Sequence, residues 1–253
     1  MVKEYSDIKN MQNTSNQIWD DLYCSYEEGK PVGIAYPTEA LVIFISTQRK
    51  PQSLKGYFED NEKEYSLRNF FSGNALEIGF GSIANLKMVR EKGYKCFGLE
   101  VSKEAVKRGE RAIGDLGLKD IELSYWQPNK IPFPDNYFQL IYGLQCIYYN
   151  LELDKVIDEV YRALAPKGIF LFSFFSSSHT YMNFIEKVSG NICRWSDNHP
   201  NTRLRGAYFI QPESKAQLAK IFGKFNEVKV FTTESNQTPL FESWWYVTGS
   251  KHG

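Results

Sequence analysis

The chain has 253 residues, 42% hydrophobic and 24% charged, which is enough apolar material to close one α/β core with an elaboration. Lysine plus arginine and aspartate plus glutamate stand at 30 each, so no overall basic field gathers a polyanion and nucleic acid is a poor partner. Cys24, Cys96, Cys146 and Cys193 are scattered, with neither a C-x-x-C pair nor histidines at zinc spacing, and read as reduced thiols with no metal site. The polar start MVKEYSDIKNMQNTSNQ lacks a signal-peptide core and no apolar run reaches membrane-spanning length, so a cytoplasmic protein without membrane insertion is expected.

Residues 1–72 fall outside any strand–helix alternation. Their stretch QIWDDLYCSYEEGKPVGIAYPTEALVIFIS mixes aromatic and acidic residues and reads equally as a lid over a pocket or as padding on a sheet edge. From Asn74 onward, β-like runs alternate with amphipathic helical ones, the pattern of a parallel sheet with helices on both faces. The strands read as ALEIG, KCFGLE, IELSYW, FQLIYGL, IFLFSFF, EVKVFTT and WWYVTG. The helices read as ANLKMVREKG, SKEAVKRGERAIGDLG, LDKVIDEVYRALAPKG and PESKAQLAKIFG. Ser102 precedes a helix, Gly93 and Gly117 follow helices, and Pro166-Lys167-Gly168 is a turn. The expected fold is one α/β domain: an N-terminal helical extension over 1–72, then a seven-stranded, mostly parallel sheet flanked by helices with a core over 74–175, a cap insertion over 176–210, and a helix and strand pair over 211–253. The cap is too long for a simple connection and is expected to be a partly helical lid.

The stretch ALEIGFGSIANL carries the chemistry. A parallel sheet binds ligands at the carboxyl ends of its strands, where Gly79 and Gly81 let the backbone approach and the next helix points its N–H groups. The same letters fit Glu-x-Gly-x-Gly, for a methyl-donor cofactor, and Gly-x-Gly-x-x-Ala across Gly79, Gly81 and Ala84, for a dinucleotide. Glu100, ending the next strand, can accept both hydroxyls of a ribose in either case. Glu77 discriminates: an acid there is unhelpful beside a pyrophosphate and suits a cofactor carrying an ammonium and a sulfonium.

With LEIGFGS, GYKCFGLEVSKEAV, IPFPDNYFQLIYG and VYRALAPKGIFLFSF in this order, the chain resembles the class I S-adenosylmethionine-dependent methyltransferases of small-molecule type. The resemblance covers residues 74–175 in order and spacing and implies a Rossmann-like fold. It implies S-adenosylmethionine as cofactor and S-adenosylhomocysteine as product. It also implies contacts from Glu77, Gly79, Gly81, Glu100 with Val101, Gln127, and the fourth-strand end at Leu144 and Gln145. Three positions depart from the family pattern: Ile83 stands where a third glycine is usual, and Gln127 and Gln139 stand where acids are common.

The sulfonium is already an electrophile, so the protein chiefly aligns a nucleophile and excludes water. Tyr148 and Tyr149, after the fourth strand, are substrate-facing candidates, although one of two adjacent positions is expected to face the core. His179 and His199 are the candidate bases, and lone histidines are more often packing residues. Arg203 and Arg205, if extended, would aim two forks at one phosphate or carboxylate, and a solvated surface pair is the competing reading. With Tyr23, Tyr36 and Tyr208 they form the expected acceptor contacts, and Trp19, Tyr181 and Trp195 fall in the same lid segments. The leading expectation is a small-molecule N- or O-methyltransferase of a phosphorylated acceptor of phosphoethanolamine type. Its rivals are a carbohydrate or nucleotide-sugar O-methyltransferase of surface-polysaccharide or capsule assembly, a non-catalytic cofactor-binding protein and, more distantly, a dinucleotide oxidoreductase. The oligomeric state is not legible.

Overall fold

The computed structural model describes residues 2–26, 36–47, 73–128, 130–236 and 240–253. Among the described residues two helices precede the sheet, α1 (Val2–Cys24) and α2 (Glu39–Thr47); residues 27–35 and 48–72 of the expected lid segment lie outside them. The core then alternates β1 (Gly73–Ile78), α3 (Ala84–Glu91), β2 (Tyr94–Glu100), α4 (Lys103–Asp115), β3 (Ile121–Tyr125), β4 (Phe138–Gly143), α5 (Leu153–Ala163) and β5 (Leu164–Phe175). After three short strands, β6 (Ile185–Ser189), β7 (Ile192–Trp195) and β8 (Tyr208–Ile210), come α6 (Lys215–Ile221), β9 (Asn226–Ser235) and β10 (Glu242–Ser250).

The main sheet runs β3-β2-β1-β4-β5-β10-β9, parallel from β3 to β5, with β10 antiparallel to both its neighbours. The fold is therefore the Rossmann-like arrangement expected. Helices cover both faces, which is why β1 and β4 read as nearly continuous apolar runs rather than alternating ones. Strand order reverses between β1 and β4, and that is where a crevice opens at the carboxyl ends. Among the described residues no helix is long and apolar enough to cross a membrane.

The segment after β5, expected to be a partly helical cap, is helical only in its 3-10 turns. It is an antiparallel sheet, β6-β7-β8, with 3-10 turns at Thr180–Phe184 and Thr202–Leu204. Gly190 takes φ +53° at the β6–β7 turn, and β7 alternates half-buried and buried residues, burying Cys193 and Trp195. Trp195 stacks on Phe209 of β8 at 4.2 Å. This period-two burial with a glycine turn is strand chemistry.

α1 presents Ile8, Met11, Ser15, Ile18, Trp19 and Leu22 at helical spacing as its covered stripe. It is tied down along its length. Ser15 Oγ donates to Tyr208 O and accepts from Tyr208 N, Asp20 accepts from Ser102 Oγ at 2.7 Å, and Arg108 donates to Tyr26 O just past the helix end. Ser102 at the same time caps α4 by accepting from Ala105 N. These bonds hold α1 across the mouth of the crevice.

Candidate active site

A cavity of about 220 Å³ opens over the carboxyl ends of β1, β2, β3 and β4. Its floor is the turn after β1. Gly79 and Gly81 take φ +70° and +51°, the left-handed region that costs an L-residue with a β-carbon. A β-carbon on Gly79 would lie 2.6 Å from Cys146 Cβ, and one on Gly81 2.6 Å from the Tyr23 hydroxyl. Ile83, the departure from the usual third glycine, has φ −79°, so a branched side chain sits there without backbone strain.

Two carboxylates meet at this floor. Glu100 is 5% exposed and accepts from Gly81 N at 3.1 Å and from Val101 N at 2.8 Å. Burial raises its pKa, and the backbone donors of Gly81, Val101 and Ser102 pull it back. Glu77, 1% exposed, accepts from Asn85 Nδ2 at 2.8 Å and from Tyr142 Oη at 3.3 Å. Its burial is countered only by those neutral donors, so its pKa is pushed well above the carboxylate range. Asn85 also accepts from Thr38 N at 2.8 Å, tying the segment before α2 to the same corner. Buried acids held by neutral donors, beside glycines that leave room for a ligand, fit a bound group carrying positive charge.

The structure brings Glu77, Gly79, Gly81, Glu100, Val101, Leu144 and Gln145 together around this cavity, with Tyr23, Tyr36 and Tyr149. Tyr36 is 78% exposed at the rim. Gln145 has φ +59°, a strained conformation for a residue with a β-carbon, and its N–H donates to Ser173 Oγ at 2.7 Å.

Other expected site residues lie elsewhere. Gln127 is exposed outside the cavity; Trp126, one residue earlier, lines it, because adjacent residues of an extended chain face opposite ways. Tyr148 is core, packed against Phe174, Phe175 and Phe209, whereas Tyr149 turns into the cavity wall. The Tyr149 hydroxyl accepts from Trp195 Nε1 at 3.0 Å.

His179 packs between Phe175 and Trp244, and its Nδ1 accepts from Tyr181 N as a turn cap; His199 is fully buried against Tyr181 and Trp195. Neither lines the cavity. Burial lowers both, His179 to about 4, with the other histidine adding to the effect there. The 3-10 turn sends the arginines apart: Arg203 lies over the Tyr26 ring at 5.1 Å and Arg205 donates to His199 O. Tyr208 pairs through its backbone with Ser15 and does not line the cavity either.

Sequence reasoning passed over Gln12 and Asn16 of α1, and Cys146 and Asn150 after β4, which complete the wall with Trp19. Gln12 and Asn16 are four residues apart on the helix stripe, a spacing that marks one face once a helix is recognised there. Among the described residues no lysine, arginine or histidine lines the cavity.

Residues 76–172 match the family model described as a methyltransferase domain. Among curated proteins, the chain is 27% identical over 99 residues to a sterol 4-C-methyltransferase of Caenorhabditis elegans, covering 39% of this chain and 30% of that one. It is 28% identical over 134 residues to a demethylmenaquinone methyltransferase of Geobacillus stearothermophilus, covering 47% and 56%. The chain thus spans about half or less of the length of these relatives. Among solved structures, it is similar to phosphoethanolamine N-methyltransferase 2 of Haemonchus contortus in complex with S-adenosylmethionine. That likeness has a TM-score of 0.55 at 15% identity, over 72% of this chain and 49% of that one. A structure described for the conversion of a disulfide bond into a thioacetal group during echinomycin biosynthesis gives 0.61 at 13% identity, over 94% and 93%. At such identities the structural likenesses speak for the fold.

Proposed function

We propose, on the premise that residues 76–172 form a class I S-adenosylmethionine-dependent methyltransferase domain, that the protein transfers a methyl group from S-adenosylmethionine to a nitrogen of a small, uncharged acceptor. The observation that carries this reading is the charge of the cavity. Its titratable wall is acidic at Glu77 and Glu100, and no described lining residue is a cation. When bound, the cofactor supplies a methyl group on a sulfonium. Glu100 and the Gly79–Gly81 turn are the residues that would hold its ribose and amino-acid portions, with Trp126 beside them.

The chain's own contribution to the chemistry is positioning and exclusion of water. The described cavity wall offers no histidine or lysine base, and its two carboxylates are engaged by internal donors. An alcohol needs help in losing its proton, whereas a neutral amine carries a free lone pair. That difference favours nitrogen over oxygen.

The phosphorylated acceptor expected from the sequence draws support from the likeness to the Haemonchus contortus enzyme, but Arg203 and Arg205, its expected grips, do not line the cavity. A sugar nucleotide would need the same arginines for its phosphates. Calorimetric titration with S-adenosylmethionine, S-adenosylhomocysteine and NADH tests the cofactor. Binding of the first two and not the third is expected, and binding of NADH alone would reverse the reading.

A further inference from the structure

Gln12 sits where α1 meets the loop after β4, and its amide orientation is fixed by backbone groups that have only one role. Leu151 N–H can only donate, so the atom that it meets at 2.7 Å is Oε1; the carbonyl of Tyr149 can only accept, so the atom at 3.0 Å is Nε2. The second proton of Nε2 goes to Asn16 at 2.9 Å, and the partner atom there must be Oδ1. Asn16 is thereby turned with Nδ2 as the end that has no partner among the described residues, and it lines the cavity one helical turn from Gln12.

A second amide is fixed in the opposite sense. Asn150 is 5% exposed, lines the cavity, and gives its Nδ2 to the carbonyl of Ile147 at 2.9 Å. Among the described residues its Oδ1 has no protein partner, and it is not one of the buried orphan atoms, so water or a ligand in the cavity can reach it. Trp19 and Tyr149, 5.0 Å apart edge to face, stand beside this pair, and the Tyr149 hydroxyl accepts from Trp195 Nε1.

We propose that Asn16 and Asn150 are the acceptor-binding pair of this cavity and that they select a neutral primary or secondary amine bearing a hydroxyl, carbonyl or ether oxygen close to the nitrogen. The inference rests on the methyl-transfer reading above and specifies its substrate class. Asn150 Oδ1 takes an N–H of the amine, which aims the lone pair away from that bond, and Asn16 Nδ2 donates to the neighbouring oxygen. Gln12 is a positioning residue that decides which end of Asn16 faces the acceptor. In the transfer the amine lone pair forms the new N–C bond as the S–C bond breaks. S-adenosylhomocysteine leaves with that electron pair, and the extra proton of the methylated ammonium passes to water.

The test uses the full chain and radiolabelled methyl transfer from S-adenosylmethionine to paired probes. These are ethanolamine against ethylamine and 2-amino-1-phenylethanol against 2-phenylethylamine, with 2-phenylethanol and phosphoethanolamine as oxygen-only and anionic controls. Asn16→Asp keeps an acceptor for Gln12 Nε2 and turns the free end from donor to acceptor; Asn16→Leu removes the free donor without adding charge. Expected is a wild-type preference of about tenfold in kcat/KM for the oxygen-bearing amine of each pair, one hydrogen bond's worth, erased in both variants while S-adenosylhomocysteine affinity stays within about twofold. A purely structural role for Asn16 would lower all probes alike. The inference is overturned by a preference that survives both variants, by the absence of one in the wild type, by a preference for phosphoethanolamine or 2-phenylethanol, or by no turnover of any amine in a protein that binds S-adenosylhomocysteine. A protein that binds neither form of the cofactor would instead overturn the methyl-transfer reading itself.

Discussion

The Tyr23 hydroxyl of α1 stands 2.6 Å from the position that a β-carbon on Gly81 would occupy, and the next nearest atom, Tyr23 Cζ, is 3.9 Å away. The N-terminal helix is therefore fitted to the glycine turn through one oxygen atom. Gly81→Ala meets two penalties: a left-handed φ of +51°, worth about 1–2 kcal/mol, and the collision with that oxygen. Tyr23→Phe removes only the second. Urea unfolding of the two single variants and the double variant should show favourable coupling of about 1 kcal/mol. Strictly additive losses would mean that Tyr23 swings aside freely and that the fit between helix and turn is not specific.

Glu77 and Glu100 give the site a pH signature. Burial holds both above the ordinary carboxylate range, so they bind protons at a pH where exposed acids are already ionised. As pH rises through their raised values they gain negative charge; the ammonium shared by S-adenosylmethionine and S-adenosylhomocysteine responds alike in both, and the sulfonium, absent from S-adenosylhomocysteine, makes the difference. The ratio of S-adenosylmethionine to S-adenosylhomocysteine affinity should therefore climb with pH, by about tenfold or about 1.4 kcal/mol between acidic and mildly alkaline buffer. Taking the ratio cancels any loss of folded protein. A ratio flat across that range would place the sulfonium away from both acids.

How far these residues could be read in advance depended on how locally each is determined. The seven strands of the sheet follow from runs such as ALEIG and FQLIYG, and parallel strands bring their carboxyl ends to one crevice, so Glu77, Glu100 and Gln145 could be grouped without coordinates. Gln127 and Tyr148 each stand one residue from a side chain that lines the cavity, Trp126 and Tyr149, since a single step along the chain turns a side chain to the other face. Gln12, which orients Asn16, meets the loop after β4 across a sequence separation of 137 residues in the Gln12–Tyr149 bond, and no local pattern encodes that contact. Arg203 and Arg205 were placed as if extended; a three-residue 3-10 turn between Asn201 and Arg205 was enough to part them.

His179 should make the protein acid-sensitive through the capped turn rather than through the cavity. Its folded value of about 4 lies below the roughly 6.5 of an unfolded histidine, so the folded state binds fewer protons between those limits. The stability that this neutral form carries is fully present above pH about 6.5 and is lost as pH falls towards 4, up to about 3 kcal/mol. His179→Asn keeps an oxygen acceptor for Tyr181 N and cannot titrate. Denaturant midpoints at pH 7, 5.5 and 4.5 should fall more shallowly for the variant than for the wild type. Parallel curves would assign the acid loss to other groups.

Arg162 on α5 explains why IPFPDNYF and VYRALAPKG occur together. Its Nε and Nη2 donate to the two oxygens of Glu159 at 2.9 and 2.8 Å, while Nη1 and Nη2 also reach Asp135 at 2.7 Å and the carbonyls of Phe133 and Ile131. Glu159 in turn accepts from Ile131 N at 2.9 Å, closing the loop onto the helix before β4 begins. A lysine supplies one ammonium where this network uses a planar fork, so Arg162→Lys cannot serve Glu159, Asp135 and the part-buried Phe133 carbonyl together. A loss of about 1–3 kcal/mol is expected, which at this chain length lowers Tm by about 2–4 °C per kcal/mol. Because Arg162 does not line the cavity, S-adenosylhomocysteine affinity in the folded variant should stay within about twofold. Unchanged Tm with weakened binding would show that the clamp serves the cavity's shape and not the stability of the fold.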